Sequence, residues 1–253
     1  MGIQIPVDFG RAAGDYARHR QGFPPEFFVR LEAMGLNIAG RRVLDVGAGT
    51  GALARAFVAG GAQVAALDPS APMLEQARGL DGRLQCAVGR AEALPFAAGS
   101  FDLVSAATCW HWFDRVAAAR EARRVLAPGG ALLIAHHDFH RIPDGVVALT
   151  FEAIRRFETG PPPASQPTFA YPYWLDDLTS AGFLSFDSFA FSAPLLYSHE
   201  GWIGRMRANG RVGPVMDAET VARWEAEMRL RLAERFPDEP IPVPHRVFAL
   251  LAR

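Results

Sequence analysis

"VLDVGAGTG", Val43 to Gly51, decides the fold of this 253-residue chain. Its first four residues are apolar but for Asp45, the pattern of a short strand buried on both faces. Gly47, Gly49 and Gly51 then let the backbone turn tightly and come close to a ligand. The stretch that follows, "GALARAFVAGG", reads as a helix whose N-terminus offers free N–H groups. A second strand, "QVAALDPS", ends in Asp68, placed to accept from ribose hydroxyls. Such a turn is weak evidence alone, since Gly47, Gly49 and Ala52 also fit the loose dinucleotide pattern. Three features separate the readings. Asp45 lies inside the strand, where it repels a pyrophosphate and attracts a cationic amino group. The glycines are spaced GxGxG. And "LAPGGALLI" follows the fourth helix.

Outward from that turn, strands and helices alternate. "APMLEQARGL" is a helix with Ser70 as its expected N-cap. "LQCAVGRAEALPF" contains a third strand and "SFDLVSAAT" is a fourth. "VAAAREARRVL" is a helix stopped by "APGG", and "ALLIAHH" is a fifth strand. Five such units predict a parallel sheet with helices on both faces and ligands bound beyond the carboxyl ends of the strands. The first 40 residues read as helical, with Phe27, Leu31 and Met34 on one face of "PPEFFVRLEAMGL". "TGPPPASQP", Thr159 to Pro167, reads as a proline-rich loop or lid. "YWLDDLTSAGF" reads as a helix ending at Gly182, and "FLSFDSFAFSAPLLY" as a strand. Val221, Trp224, Met228, Leu232 and Phe236 recur at helical spacing in "DAETVARWEAEMRLRLAERF", and "HRVFALLAR" closes the chain as a strand.

The totals set limits. Twenty-six basic and 27 acidic residues give a net charge of −1, which argues against a nucleic-acid footprint or a polybasic membrane patch. No apolar run has the length of a membrane span. The start "MGIQIPVDFGRAAG" lacks the features of a signal peptide, and Pro6 and Val7 weigh against myristoylation of Gly2. Cys86 and Cys109 have no metal-like spacing and fit a reduced, cytoplasmic protein.

Together, "VLDVGAGTG", "LDPSAPML", "AEALPF…SFDLV" and "LAPGG" resemble the class I S-adenosylmethionine-dependent methyltransferases, in their small-molecule, trans-aconitate-like branch. The resemblance covers about residues 10 to 136 and the last strand. It implies a Rossmann-like α/β fold: seven mostly parallel strands with the last antiparallel beside strand five, and a helical cap between strands six and seven. The chain is then one domain, 1–253, with a core at about 40–140, 170–195 and 243–253, an arm at 1–39 and cap helices at about 196–240. It also implies S-adenosylmethionine as cofactor. Gly47, Ala48, Gly49 and Gly51 would line its methionine and ribose part, Asp45 would lie near the amino group, and Asp68 would take the ribose hydroxyls. Pro69 and Met73 would pack on adenine, Ala91 and Glu92 would flank its edge, and Ala106 or Ala107 would supply a carbonyl. Arg90 stands where many relatives have Asp. "YARHRQGFP" resembles a family segment in which Tyr16 caps the sulfonium and Arg20 pairs the methionine carboxylate, with Gln21 and Phe23 departing from it.

Methyl transfer from a sulfonium needs alignment and dryness more than a strong base. His111, just after strand four in "TCWHWFD", is the candidate catalytic base; a pocket-wall role is the alternative. One of Trp110 and Trp112 is expected to pack under the next helix, with His111 or Trp112 bordering substrate. His137 is a rim histidine that could touch it. Arg205, with Arg207 and Arg211 in "GRMRANGR", is either part of a solvated face or a clamp for an acidic substrate. His136 and His140 lack a matching carboxylate, so no metal site is expected. Readings left open are a nicotinamide-linked dehydrogenase, a non-catalytic relative, and methylation of a macromolecule, the last disfavoured by the absence of an "NPPY"-type tetrapeptide. The expected partner is a small molecule, without nucleic acid or membrane, for a monomer or homodimer.

Overall fold

The computed structural model describes residues 9–158 and 171–253; the proline-rich stretch Thr159 to Pro167 lies outside them. The strands are β1 (Arg42–Val46), β2 (Gln63–Asp68), β3 (Gln85–Val88), β4 (Phe101–Ala107), β5 (Leu126–Phe139), β6 (Phe186–Tyr197) and β7 (Ile241–Ala252). The helices are α1 (Ala13–His19), α2 (Pro25–Ala33), α3 (Ala52–Ala59), α4 (Ala71–Leu80), α5 (Arg115–Val125), α6 (Val146–Phe157), α7 (Tyr171–Ser180), α8 (His199–Arg207) and α9 (Ala218–Arg235). The sheet has seven strands in the order β3-β2-β1-β4-β5-β7-β6 and is mostly parallel, with β7 beside β5 and antiparallel.

The chain divides into two compact units. The larger, made of Gly22–Asp138, Gln166–Phe191 and Val247–Arg253, holds the glycine turn. Its parallel strands explain the apolar runs, because alternate residues point to opposite faces and both faces are covered. Leu44, Val46, Val104, Ala106, Leu132 and Ile134 bury one way, with Trp110, Trp174 and Phe248. Val43, Leu103, Leu133 and Ala135 bury the other way, against Phe27, Leu31, Leu53 and Phe57. Each fully buried aliphatic side chain stabilises the fold by about 1.5–3 kcal/mol.

Two local expectations change. Ser70 occupies the N-cap position of α4 but its side chain makes no capping bond; instead its N–H donates to Asp68 Oδ1 at 2.9 Å. "LAPGG" belongs to β5 rather than to a turn before it. Leu126 pairs with Phe101, and the register then shifts so that Ala131 pairs with Leu103. Capping goes as the residue types suggest at α5, where Asp114 accepts from the N–H of Ala117 at 3.1 Å.

The smaller unit comprises Met1–Gln21, Phe139–Ser165 and Ser192–Arg246. It has its own core of Val147, Phe151, Ile154, Trp202, Trp224, Met228 and Leu232. Helix α6 in this unit is not evident from sequence. Its "VVALTFEAIRRF" opens on β-branched residues, which blur the helical signal. The expected face of α9 buries Trp224, Met228 and Leu232, while Val221 and Phe236 pack on it half-buried.

Candidate cofactor and acceptor site

The site begins where β1 ends. Gly47, Gly49 and Gly51 have φ of 66°, 56° and 74°, the left-handed region that glycine enters at little cost. At Gly47 the requirement is also steric, since a Cβ there would lie 2.8 Å from Cys109 Sγ. The Cys109 thiol in turn sits 3.1 Å from the Val46 carbonyl, its acceptor. At Gly49 a Cβ would lie 3.2 Å from Met73 Cε, so Met73 packs over the turn from the first part of α4.

Asp68 fastens the turn to the end of β2. Its Oδ2 accepts from the Gly49 N–H at 2.8 Å and its Oδ1 from Ser70. Each oxygen keeps a second lone-pair direction, so the carboxylate can still accept from a pair of vicinal hydroxyls. Burial raises its pKa, opposed by those two N–H groups. Asp45 is more deeply placed, buried and bonded to Ser105. Ala48 is half-buried and Pro69 exposed on the same rim. Ala91 is buried in the core, and Glu92 accepts from the Asp114 N–H at 3.0 Å and pairs with Arg90 at 3.4 Å. Glu92 therefore ties the loop after β3 to the start of α5, whatever else it touches.

Ala107 ends β4, and Thr108 follows with φ of 59°, unusual for a residue that is not glycine. Its N–H donates to the Ala135 carbonyl at 2.7 Å and its hydroxyl accepts from the His137 N–H at 3.4 Å. The chain then makes a 3-10 turn over Trp110–Trp112 instead of extending the strand. This turn separates the two tryptophans: Trp110 is 2% exposed and Trp112 57%. Rings line up from there into the core. His111 lies 5.2 Å from Trp112 and 5.5 Å from His136, and His136 lies 5.2 Å from Trp174, centroid to centroid. His137 is buried and tilts against Phe23 at 5.4 Å.

The remaining predicted residues belong to the smaller unit. Arg20 donates to the Tyr16 hydroxyl and stacks on its ring at 4.7 Å. Arg205 is 7% exposed, so the solvated-face reading fails for it. It also fails for Arg207, which pairs with Asp15 and Glu225, and for Arg211, whose fork meets both Glu158 oxygens at 2.7 Å. His140 bonds Ser192 at 3.0 Å. A cavity of about 280 Å³ in this unit is lined by Asp15, Arg207, Met216, Val221 and Glu225 among others. Among the described residues, no three His, Cys, Asp or Glu side chains gather as a metal site would require. Ser105 and Thr108 are not singled out by the sequence, and Cys109 draws notice there only as a cysteine without metal-like spacing. Of the first two, only Ser105 leaves a trace, as a hydroxyl inside an otherwise apolar strand.

A parallel sheet with a glycine turn after its first strand and a carboxylate after its second is a frame that suits a nucleoside-containing ligand. Residues 44–134 match the family model of the methyltransferase domain. An uncharacterised methyltransferase of Mycobacterium tuberculosis is 43% identical over 128 residues, 51% of each chain. Malonyl-[acyl-carrier protein] O-methyltransferase of Enterobacter lignolyticus is 37% identical over 132 residues, again 51% of each. The chain thus spans about half the length of the curated relatives it matches. In three dimensions it resembles the YcgJ protein of Bacillus subtilis, with a TM-score of 0.55, 21% identity, and coverage of 89% and 97% of the two chains. It also resembles phosphoethanolamine N-methyltransferase 2 of Haemonchus contortus in complex with S-adenosyl-L-methionine (TM-score 0.53, 18% identity, 96% of this chain and 56% of that one). Residues 44–134 are thus similar in sequence to methyltransferase domains, and the chain shares the fold of these solved structures.

Proposed function

We propose that this protein transfers a methyl group from S-adenosylmethionine to a small-molecule acceptor by direct in-line displacement. The observation that carries the reading is the clasp of Asp68 on the Gly49 N–H, which sets a carboxylate beside a turn that three left-handed glycines keep open. S-adenosylmethionine, when bound, supplies a methyl group already activated by a sulfonium. The protein's part is to bind, orient and exclude water.

Asp68 would hold the ribose hydroxyls with its remaining lone pairs. Gly47, Ala48, Gly49 and Gly51 would give backbone contact to the ribose and methionine part. Asp45, next to the turn, would favour a cationic amino group. Met73 and Pro69 would cover one face of adenine, with Ala91 and Glu92 at its edge and the Ala107 carbonyl after β4. On the acceptor side, His111 would receive a proton where the acceptor carries one. Trp112 and His137 would shape the acceptor pocket. A relative named malonyl-[acyl-carrier protein] O-methyltransferase supports an acceptor other than a nucleic acid.

Calorimetric titration tests this reading. S-adenosylhomocysteine should bind and NAD should not; NAD binding without S-adenosylhomocysteine would overturn it. A methyl-transfer screen over carboxylic acids, phenols and amines then identifies the acceptor. Turnover confined to a macromolecule would overturn the small-molecule part.

A further inference from the structure

The loop that leaves β3 starts beside Asp68, where Gly89 donates its N–H to the Asp68 carbonyl at 3.2 Å. Glu92 then accepts from the N–H of Asp114, at 3.0 Å. The residue before Asp114, Phe113, brings its ring tip to 3.2 Å from where a Cβ would stand on Gly47. The loop is thus tied to both sides of the glycine turn. From residue 89 to residue 100 it runs without helix or strand, apart from a single bridge of Arg90 with Ala93. Irregular backbone needs partners for its polar groups from elsewhere. Helix α5 supplies them with two side chains one turn apart. Glu121 Oε2 accepts from the Leu94 N–H at 2.8 Å. Arg124 donates to the Leu94 carbonyl at 2.9 Å and to the Phe96 carbonyl at 2.8 Å. The two side chains also close on each other in a fork, Nε to Oε1 and Nη2 to Oε2, each at 2.7 Å.

We propose that Glu121 and Arg124 are positioning residues for adenine recognition: by fixing both backbone groups of Leu94, they hold Ala91 and Glu92 at the adenine edge. This rests on the methyltransferase reading, which sets that edge beside Ala91 and Glu92. A half-exposed ion pair within one helix contributes little stability by itself. Here each member keeps the other in the rotamer that reaches the loop. Arg124 also holds the Glu121 carboxyl below the usual carboxylate range, so the acceptor for Leu94 stays charged. The Leu94 side chain is buried in the core, which leaves the gripped backbone little room to slide. A base edge is read by hydrogen bonds, and these weaken steeply once the angle or distance drifts. Arg115, on the same helix, pairs instead with Asp177 of α7 at 2.6 Å.

Calorimetric titration of the whole protein tests the proposal with two ligands, S-adenosylhomocysteine and S-inosylhomocysteine, in which an oxygen replaces the adenine amino group. The wild type should favour the first by about tenfold or more. Glu121→Ala should weaken S-adenosylhomocysteine by about three- to tenfold and S-inosylhomocysteine far less, so that the preference shrinks. A pair that merely held the fold would weaken both ligands by the same factor. If Glu121→Ala does not fold, as judged by circular dichroism, Glu121→Gln decides. It keeps an oxygen for the Leu94 N–H but gives up the charged fork, and should cut the preference by about two- to fourfold. Arg115→Gln should leave the preference as it is. Four results would each overturn the proposal: no adenine preference in the wild type, unchanged S-adenosylhomocysteine affinity in a folded Glu121 variant, equal losses for the two ligands, or the same shift in Arg115→Gln. Any of them with S-adenosylhomocysteine still binding the wild type leaves the methyltransferase reading standing, whereas failure of the wild type to bind it sinks both.

Discussion

Asp45 and Ser105 face each other in register across the β1–β4 pair, and the Ser105 hydroxyl donates a 2.6 Å hydrogen bond to Asp45 Oδ1. Burial pushes the Asp45 pKa up to about 7, against the pull of Ser105 and the Ala54 N–H and with help from the charge of Asp68. The folded chain therefore holds this proton more tightly than the unfolded chain, whose carboxyl titrates near 3.8. The stability it contributes is full below about pH 4 and is lost as pH rises through about 7, a change on the order of 4 kcal/mol. Asp45→Asn should flatten that slope. Urea unfolding of both proteins at pH 5 and pH 7.5 measures it, and parallel losses in the two would show that Asp45 is not the source.

If Asp68 holds the ribose hydroxyls as proposed, Asp68→Asn should weaken S-adenosylhomocysteine binding by about ten- to a hundredfold, because a charged acceptor becomes a neutral one. The glycine turn should survive, since an amide oxygen can still take the Gly49 N–H. Titration together with a thermal melt separates the two effects.

Gly47→Ala meets two obstacles, a φ of 66° and a thiol 2.8 Å from the new methyl group. It should cost about 1–3 kcal/mol and abolish cofactor binding. Cys109→Ala in the same chain removes the sulfur but neither the Cys109 Cβ, 2.9 Å from the new methyl group, nor the backbone conformation, so it should restore only part of the stability. Full restoration in a denaturant melt would mean that the conformational cost is negligible.

The two tryptophans of "TCWHWFD" should part company. Trp110→Ala empties a core position and should destabilise by about 3–5 kcal/mol. Trp112→Ala should change stability by no more than about 0.5 kcal/mol and raise the Michaelis constant for the acceptor while leaving the cofactor constant in place. The reverse pattern in steady-state kinetics would put Trp112 on the adenosine side.

The alternating strands and the glycine turn are legible in sequence because parallel strands buried on both faces leave unbroken apolar runs, and because only glycine serves readily where φ is near +60°. Asp68 stands out as a carboxylate ending such a run, but its clasp on the Gly49 and Ser70 N–H groups does not. What stays hidden depends on contacts between distant segments. Nothing near Cys109 in sequence says that its thiol meets Val46 and fills the space over Gly47. Nothing near Arg207 says that Asp15, 192 residues away, is its partner. The 3-10 turn at Trp110–Trp112 escapes notice because a strand and a tight turn both place aromatic residues at short spacing. The start of β5 does so because "APGG" has the chemistry of a turn even where pairing with β4 carries it into the ladder.

Thr108 gives that 3-10 turn a further meaning. Held at the edge of β5 by Ala135 and His137, it fixes the point at which β4 stops. Everything from Trp112 outward can then vary without disturbing the packing of Trp110 inward. If Trp112 shapes the acceptor pocket as proposed, a lineage carrying this arrangement could explore new acceptors by exchanging that one exposed residue while the sheet beneath it stays as it is.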